Sequence, residues 1–435
     1  MKYSSTGGTS APVSFREALF AGLAPDGGLY IPDSIPRLSA DFIAGLSRQS
    51  LHTIGREVLA LFIDDLDREA LASILHEAWT FPVPLRPLER DIDLLELFHG
   101  PTFAFKDLGA QFLARTLSRY LRREQRKATV IVATSGDTGS AVALGFHNVP
   151  NVVVCVLYPS GRISRLQEQQ MTTLGGNVHA IEVDGSFDDC QRLVKQALAD
   201  EEVVSSCHLT TANSINIGRL IPQVVYYIWA IAQRDAGGHE SSKQPPTFVV
   251  PSGNFGNLTA GLYARALGVP VGRMVGATNA NDVVPEYLRT GKFRPRHSVT
   301  TYSNAMDVGN PSNVARIISF FDSKWEVMKS RVEAEAVSDA ETLEEIRLTH
   351  RRTGVVLDPH TAVGVAAARR LKPSEHVVVV ATAHPAKFPD VIRKALGVDI
   401  ALPPQLEEAL RRKKRSVKMD ADYSALRQIL KEGQF

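Results

Sequence analysis

The chain has 435 residues, 44% apolar and 22% charged, with a formal net charge of +2. A length of this order suggests about three compact units, and the composition is that of soluble globular proteins rather than of a disordered chain. The balance of 49 basic against 47 acidic residues excludes the strong basic excess that nucleic-acid binding requires.

Cys155, Cys190 and Cys207 have no metal-ligand spacing, and their odd number points to a reducing compartment. The opening Met1-Lys2-Tyr3-Ser4-Ser5-Thr6-Gly7-Gly8 lacks the apolar centre of a signal peptide. No apolar run approaches ~18 residues. The expectation is a cytoplasmic protein, monomeric or a small homo-oligomer, with no nucleic-acid or membrane partner.

In chain order, residues 1–85 read as mainly helical, with apolar positions recurring at three and four in 15–23, 42–46 and 58–62. Asp26-Gly27-Gly28 marks a turn before a short extended stretch at 29–32. Pro82, Pro84 and Pro87 break any helix there. Strands are then expected at 94–98, 129–133, 152–157 and 178–183, and helices at 108–123, 139–146, 164–174 and 188–198. A long helix is expected at 214–232, a surface loop at 235–246, and further strands at 248–250 and 377–380. Alternating strands and helices with near-continuous valine runs indicate parallel sheets covered on both faces. Residues 290–313 show little periodicity, and the basic cluster 411–415 reads as a solvated helix face.

Four segments after predicted strands carry candidate chemistry. In His99-Gly100-Pro101-Thr102-Phe103-Ala104-Phe105-Lys106-Asp107, an aromatic-flanked lysine opens a helix. Desolvation there would lower its pKa and favour Schiff-base chemistry, although an ordinary surface lysine is the bland alternative. Thr134-Ser135-Gly136-Asp137-Thr138-Gly139-Ser140 offers glycines and free amides to an anion such as a carboxylate, or is simply a capped turn. Its Asp-Thr-Gly has no second copy with which to share a proton, so an aspartic-protease reading fails.

Pro251-Ser252-Gly253-Asn254-Phe255-Gly256-Asn257 has the composition of a phosphate cradle at a helix start. It matches neither the dinucleotide nor the P-loop fingerprint. Ala381-Thr382-Ala383-His384-Pro385-Ala386-Lys387-Phe388 places a hydroxyl at a strand's carboxyl end, where open α/β sheets bind ligands. A Schiff-base lysine, a phosphate loop, an anion loop and a strand-end hydroxyl together suggest pyridoxal phosphate.

These motifs, with Ala24 to Tyr30, Pro159 to Ser164, Asn213 to Asn216 and Gly309 to Asn313, make the chain resemble the threonine synthase family over nearly its whole length. The resemblance implies an α/β protein of the tryptophan-synthase-β-like (fold-type II) architecture. It would have a large cofactor-binding domain at 86–106 and 212–400, with an insertion at about 290–345. It would also have a small domain at 107–211 and a helical tail at 401–435.

The resemblance further implies pyridoxal 5'-phosphate in Schiff-base linkage to Lys106, which later shuttles protons. Gly253, Asn254, Phe255, Gly256 and Asn257 would hold the cofactor phosphate, and Thr382 would face the ring nitrogen, which a neutral hydroxyl leaves largely unprotonated. Ser135, Gly136, Asp137 and Thr138 would grip the substrate carboxylate. Arg162, Ser214 and Asn216 would hold the phosphate of O-phospho-L-homoserine. The implied reaction is γ-elimination of phosphate followed by addition of water at Cβ to give L-threonine. The alternatives are a phospho-lyase releasing 2-oxobutyrate from the same substrate and a non-catalytic binding homologue; Asp137 and the N-terminal region disfavour a threonine or serine dehydratase. The chain departs from the family at Gly7, where the usual opening has arginine.

Overall fold

A computed structural model describes residues 1–237, 244–371 and 376–433. In chain order its strands are β1 (Tyr3–Ser5), β2 (Tyr30–Pro32), β3 (Leu85–Glu89), β4 (Ile92–Glu96), β5 (Ala128–Ala133), β6 (Val152–Pro159) and β7 (Val178–Asp184). They continue with β8 (Leu209–Thr211), β9 (Thr247–Pro251), β10 (Met274–Thr278), β11 (Val332–Ala336), β12 (Val377–Ala381) and β13 (Val417–Asp420). Six form one sheet in the order β11-β10-β9-β12-β4-β3, and five form a second in the order β13-β7-β6-β5-β8.

All pairings in the two sheets are parallel except β3 with β4. The sequence reason is direct. The central strands Thr247–Pro251 and Val377–Ala381 are buried at every position, as parallel strands covered by helices on both faces must be. Pro87 lies in the edge strand β3, at a register shift between Pro87 and Glu89, where a missing N–H is tolerated.

The N-terminal segment packs its helices against the helices Lys106–Glu124 and Val224–Ala236 and against β8, and starts them with side-chain caps. Ser14, Ser50 and Asp67 each accept a hydrogen bond from the first turn that follows, which satisfies an otherwise orphaned amide. Trp79 is buried, and its Nε1 donates to the Leu108 carbonyl at 3.1 Å. That bond anchors the segment to the helix carrying Lys106. β1 and β2 pair antiparallel beside it.

Three expectations from sequence need correction. The stretch 214–232 is not one helix: Asn216 caps a short helix, Ile217–Leu220, a 3₁₀ turn holds Pro222, and Val224–Ala236 follows. Proline cannot continue a helix because it lacks the amide and clashes with the preceding turn. Residues 401–435 are not wholly helical, because β13 adds to the small sheet beside β7. Tyr423–Glu432 then covers the sheet with buried Leu426 and Leu430. The basic cluster 411–415 is not simply a solvated helix face, because Lys414 bridges Glu168 and Glu182 at 2.6 Å each. Residues 238–243, half of the loop expected at 235–246, lie outside the described residues. Among the described residues, no helix is long and apolar enough to cross a membrane.

Candidate active site

The carboxyl ends of β4, β9 and β12 in the large sheet and of β5 and β8 in the small one open on a common cleft. Lys106, Ser135, Asp137, Thr138, Ser214, Gly253, Asn254, Phe255, Gly256, Asn257 and Thr382 line it. Residues up to 276 positions apart in sequence, Lys106 and Thr382, thus meet because their strands end on one side.

The lysine segment is tied to the end of β12. The Phe105 amide donates to the Thr382 carbonyl at 2.8 Å, and Ala104 forms an isolated bridge with Ala383. Gly100 lies against Asp107, whose Oδ2 would sit 2.5 Å from a Cβ at that position, so only glycine fits the turn. Asp107 is buried and takes the Thr102 amide at 2.8 Å and the Thr102 hydroxyl at 2.7 Å. Burial pushes its carboxyl up to about 6 despite those bonds.

Lys106 opens the helix Lys106–Glu124 with its Nζ 5.6 Å from the centre of the Phe105 ring. Desolvation lowers its pKa to about 8. The charge of Asp137 opposes that shift, while Lys387 and Arg219 add to it. An amine so placed is readily neutral, and therefore nucleophilic, near physiological pH.

Asp137 begins the helix Asp137–Phe146, which has no side-chain cap. Thr134 Oγ1 accepts from the amides of Gly136 at 2.9 Å and Gly139 at 2.8 Å. The amides of Asp137 and Thr138 are left as first-turn donors at the cleft. The Asp137 side chain is otherwise engaged: Lys387 pairs with it at 2.6 Å, and Gln167 Nε2 donates to it at 3.0 Å. Burial alone would raise its pKa, but Lys387 and Lys106 outweigh burial and hold the carboxyl well below its ordinary range. Any anion bound here meets backbone amides, not this side chain.

The loop 252–257 is a backbone cradle braced by its own asparagines. Asn254 Nδ2 donates to Ser214 Oγ, and its Oδ1 accepts from the Ser312 amide, both at 2.5 Å. Asn257 Nδ2 donates to the Pro251 carbonyl at 2.8 Å, and its Oδ1 accepts from Ser252 Oγ at 2.8 Å and from the Leu258 amide at 3.0 Å. Phe255 sits at φ 60° as the residue before the helix Gly256–Ala266, which also lacks a side-chain cap. The amides of Gly256 and Asn257, its first two, therefore remain free for an anion. Thr382 is buried at the end of β12 and faces the cleft.

The remaining expected residues are placed differently. Asn216 is buried and fully engaged, donating to the Leu19 and Thr211 carbonyls at 2.9 and 2.8 Å and accepting from the Gly218 amide at 2.9 Å. Arg162 is exposed in the loop after β6 and does not line the cleft. Gly136 is buried beside Gln167, with φ 142°.

Sequence reasoning missed four residues with structural weight at the site: Lys387, Arg219, His360 and Arg316. Buried His360 lines the cleft; its Nε2 accepts from the Ala305 amide at 3.1 Å, so its proton sits on Nδ1, 2.8 Å from Asp358. Arg316 is buried and donates to the carbonyls of Tyr30, Ser214 and Ile215 and to Asn313 Oδ1. It thereby ties β2, the Ser214 loop and the Asn313 turn together. Asp358-Pro359-His360, an N-cap followed by proline, was a readable helix start; Arg219 and Arg316 carried no local signal.

Three family models match in sequence along the chain. The threonine synthase N terminus matches residues 2–79, the pyridoxal-phosphate-dependent enzyme family residues 79–383, and the threonine synthase C-terminal family residues 361–430. The chain belongs to the threonine synthase family of pyridoxal-phosphate-dependent enzymes. Threonine synthase from Escherichia coli is 41% identical over 421 residues, 96% of each chain. The enzyme from Schizosaccharomyces pombe is 36% identical, covering 91% of this chain and 90% of its own. The Escherichia coli crystal structure superposes with a TM-score of 0.93 at 40% identity, covering 100% of both chains. A pyridoxal-phosphate-bound threonine synthase from Brucella melitensis gives 0.91 at 35% identity, covering 99% of both.

Proposed function

We propose that this chain converts O-phospho-L-homoserine and water into L-threonine and phosphate, using pyridoxal phosphate held at Lys106. The observation that carries the reading is that Lys106, lowered to about 8, shares one cleft with an uncapped helix start behind a glycine loop. The residues present fit that cofactor: an amine able to form a Schiff base, free amides for a phosphate, and the Thr382 hydroxyl for a ring edge. Full-length similarity to threonine synthases supports the choice of reaction.

When bound, the cofactor supplies an aldehyde for the substrate amine and an electron sink for charge developing beside it. Lys106 holds the cofactor at rest. Once freed by the incoming substrate, it is a neutral amine that takes the Cα proton and later returns one. The amides of Gly256 and Asn257 bind the cofactor phosphate, while the side chains of Asn254 and Asn257 keep that loop in shape. Thr382 presents a neutral hydroxyl to the ring. The Ser135–Thr138 turn orients the substrate carboxylate through its amides. Ser214, held by the Asn254 side chain, lines the same cleft.

The test is product analysis with pyridoxal phosphate and O-phospho-L-homoserine, following phosphate, L-threonine and 2-oxobutyrate together. Phosphate and threonine in equal amounts, absent with Lys106→Ala, are expected. Phosphate matched by 2-oxobutyrate instead would overturn the assignment in favour of a phospho-lyase.

A further inference from the structure

His360 is only 3% exposed and sits in the first turn of the helix Pro359–Arg369. Asp358 caps that turn, accepting from the His360 amide at 2.9 Å and from the Thr361 amide at 3.2 Å. The same carboxylate takes the imidazole Nδ1–H at 2.8 Å. The opposite nitrogen, Nε2, accepts the Ala305 amide at 3.1 Å. The Phe388 ring packs against the imidazole, 4.9 Å from centre to centre. Tautomer and ring orientation are therefore both set by neighbours, so that one lone pair is presented to one amide.

That amide belongs to a short segment that walls the cleft. Ala305, Met306 and Val308 line it, together with His360, Gly253 and Thr382. Asn279 pins the ends of the segment, its Nδ2 donating to the Ser303 carbonyl at 3.3 Å and to Asp307 Oδ1 at 2.8 Å. The middle is tied to the helix Pro359–Arg369 through Ala305. The wall lies flush on the glycine loop: a Cβ at Gly253 would be 2.7 Å from Met306 Cα and 3.2 Å from the Ala305 carbonyl oxygen. The same helix turn reaches the end of β12, because Thr361 Oγ1 accepts the Thr382 amide at 3.3 Å. One capped turn thus fastens both the wall beside the loop and the strand end that carries Thr382.

We propose that His360 is a positioning residue for the cofactor: its Nε2 holds the wall 304–308 against the Gly253 loop and so fixes the shape of the phosphate cradle. The inference rests on the placement of the cofactor phosphate at that loop, proposed above. A buried amide left without its acceptor is costlier than the bond it lost, so the wall would move to find another partner. With no side chain on Gly253 to separate it from Met306, the loop feels any such movement directly.

The experiment uses the full chain as wild type, His360→Asn and His360→Gln. The glutamine amide oxygen reaches about as far as Nε2 and can accept from Ala305, whereas the shorter asparagine meets Asp358 and falls short of Ala305. Pyridoxal phosphate is titrated onto the apoprotein by its absorbance, and hydrogen exchange at the Ala305 amide is measured in the same apoprotein. His360→Asn should weaken pyridoxal phosphate binding by ~10-fold, the scale of one buried hydrogen bond lost, and speed exchange at Ala305 by ~10-fold or more. His360→Gln should bring both back to within about threefold of wild type.

His360→Gln as impaired as His360→Asn would mean that the site needs the imidazole itself and not its acceptor, and would overturn the proposal. Faster exchange with unchanged cofactor affinity would make the contact merely structural and also overturn it. Should His360→Asn not fold, the other two proteins decide. An Ala305 amide that exchanges in wild type as fast as an open loop would refute the bond, while protection and affinity both kept in His360→Gln would support it. Wild-type protein that binds the cofactor but yields no threonine would sink the proposed reaction and leave this inference standing.

Discussion

Substituting either member of the Asp137–Lys387 pair should move the basicity of Lys106, and in opposite directions. Asp137 attracts the Lys106 proton, whereas Lys387 repels it, and burial sets the net value at about 8, down from 10.5. Asp137→Asn removes the attraction, so the Lys106 midpoint falls below 8. Lys387→Met removes the repulsion, so it rises. Each shift should be roughly one unit, corresponding to about 1.4 kcal/mol of charge interaction. The assay is the rate of Schiff-base formation between the apoprotein and pyridoxal phosphate across pH, since only the neutral amine reacts.

The stability cost should be unequal. Asp137→Asn strands the buried Lys387 charge beside the Thr102 carbonyl, at a cost of about 3–5 kcal/mol, typical of a broken buried pair. Lys387→Met leaves Asp137 with Gln167 and the Lys106 charge, so it costs less. The double variant removes both charges and should recover most of the loss, as replacing a whole buried pair often does. Generic loosening would let water in and move both single variants the same way, toward 10.5. That outcome, or midpoints unmoved in both, would refute the reasoning.

Arg316→Met deletes a buried cation bonded to four acceptors. It should destabilise the protein by about 3 kcal/mol or more and leave the turn after β1 more open to protease, since bonds to a charged donor contribute about 1.5–3 kcal/mol each. Thermal melting at wild-type temperature would contradict it. Gly253→Ala places a Cβ 2.7 Å from Met306 Cα, so the segment 303–308 must shift at a cost of about 1–3 kcal/mol. Titration should then show weaker pyridoxal phosphate binding, and an unchanged curve would show that the loop tolerates the methyl group.

Much of the site was legible because its main parts follow a local rule. Lys106, the Ser252 to Asn257 loop and Thr382 each sit just past a valine- or leucine-rich strand, and glycine, proline and small polar residues mark the turn. What escaped was whatever depends on distance in the chain. Nothing around Lys387 says that it meets Asp137, 250 positions away. The apolar neighbours Ala386 and Phe388 were a weak sign of burial. Arg219 and Arg316 look like ordinary basic residues on helices, and only tertiary packing withdraws them from water. β13 escaped because an edge strand reading Val417-Lys418-Met419-Asp420 buries one residue, Met419, so its hydrophobic pattern is slight. The family's arginine is replaced by Gly7, and here a Cβ at position 7 would lie 2.6 Å from Asp26 Cγ. Asp26 in turn accepts bonds from Ser5, Thr9, Ser10 and Gly28.

The charges around Lys106 make sense only as a set. An aspartate alone beside a buried lysine would fix it as an ammonium, useless as a nucleophile at neutral pH. Pairing Asp137 with Lys387 divides the carboxylate's attraction between two cations, and the second cation also repels the first. The helix start at Asp137 keeps its free amides, because the side chain that could have competed for a bound anion is held by Lys387 and Gln167. One buried ion pair thus performs two tasks at the same turn: it lets the lysine lose its proton, and it leaves the backbone amides available to an anion. Lys387 ends the 3₁₀ turn Pro385–Lys387 that follows β12 and Thr382, so the segment after one strand end both lines the cleft and shifts the protonation of Lys106.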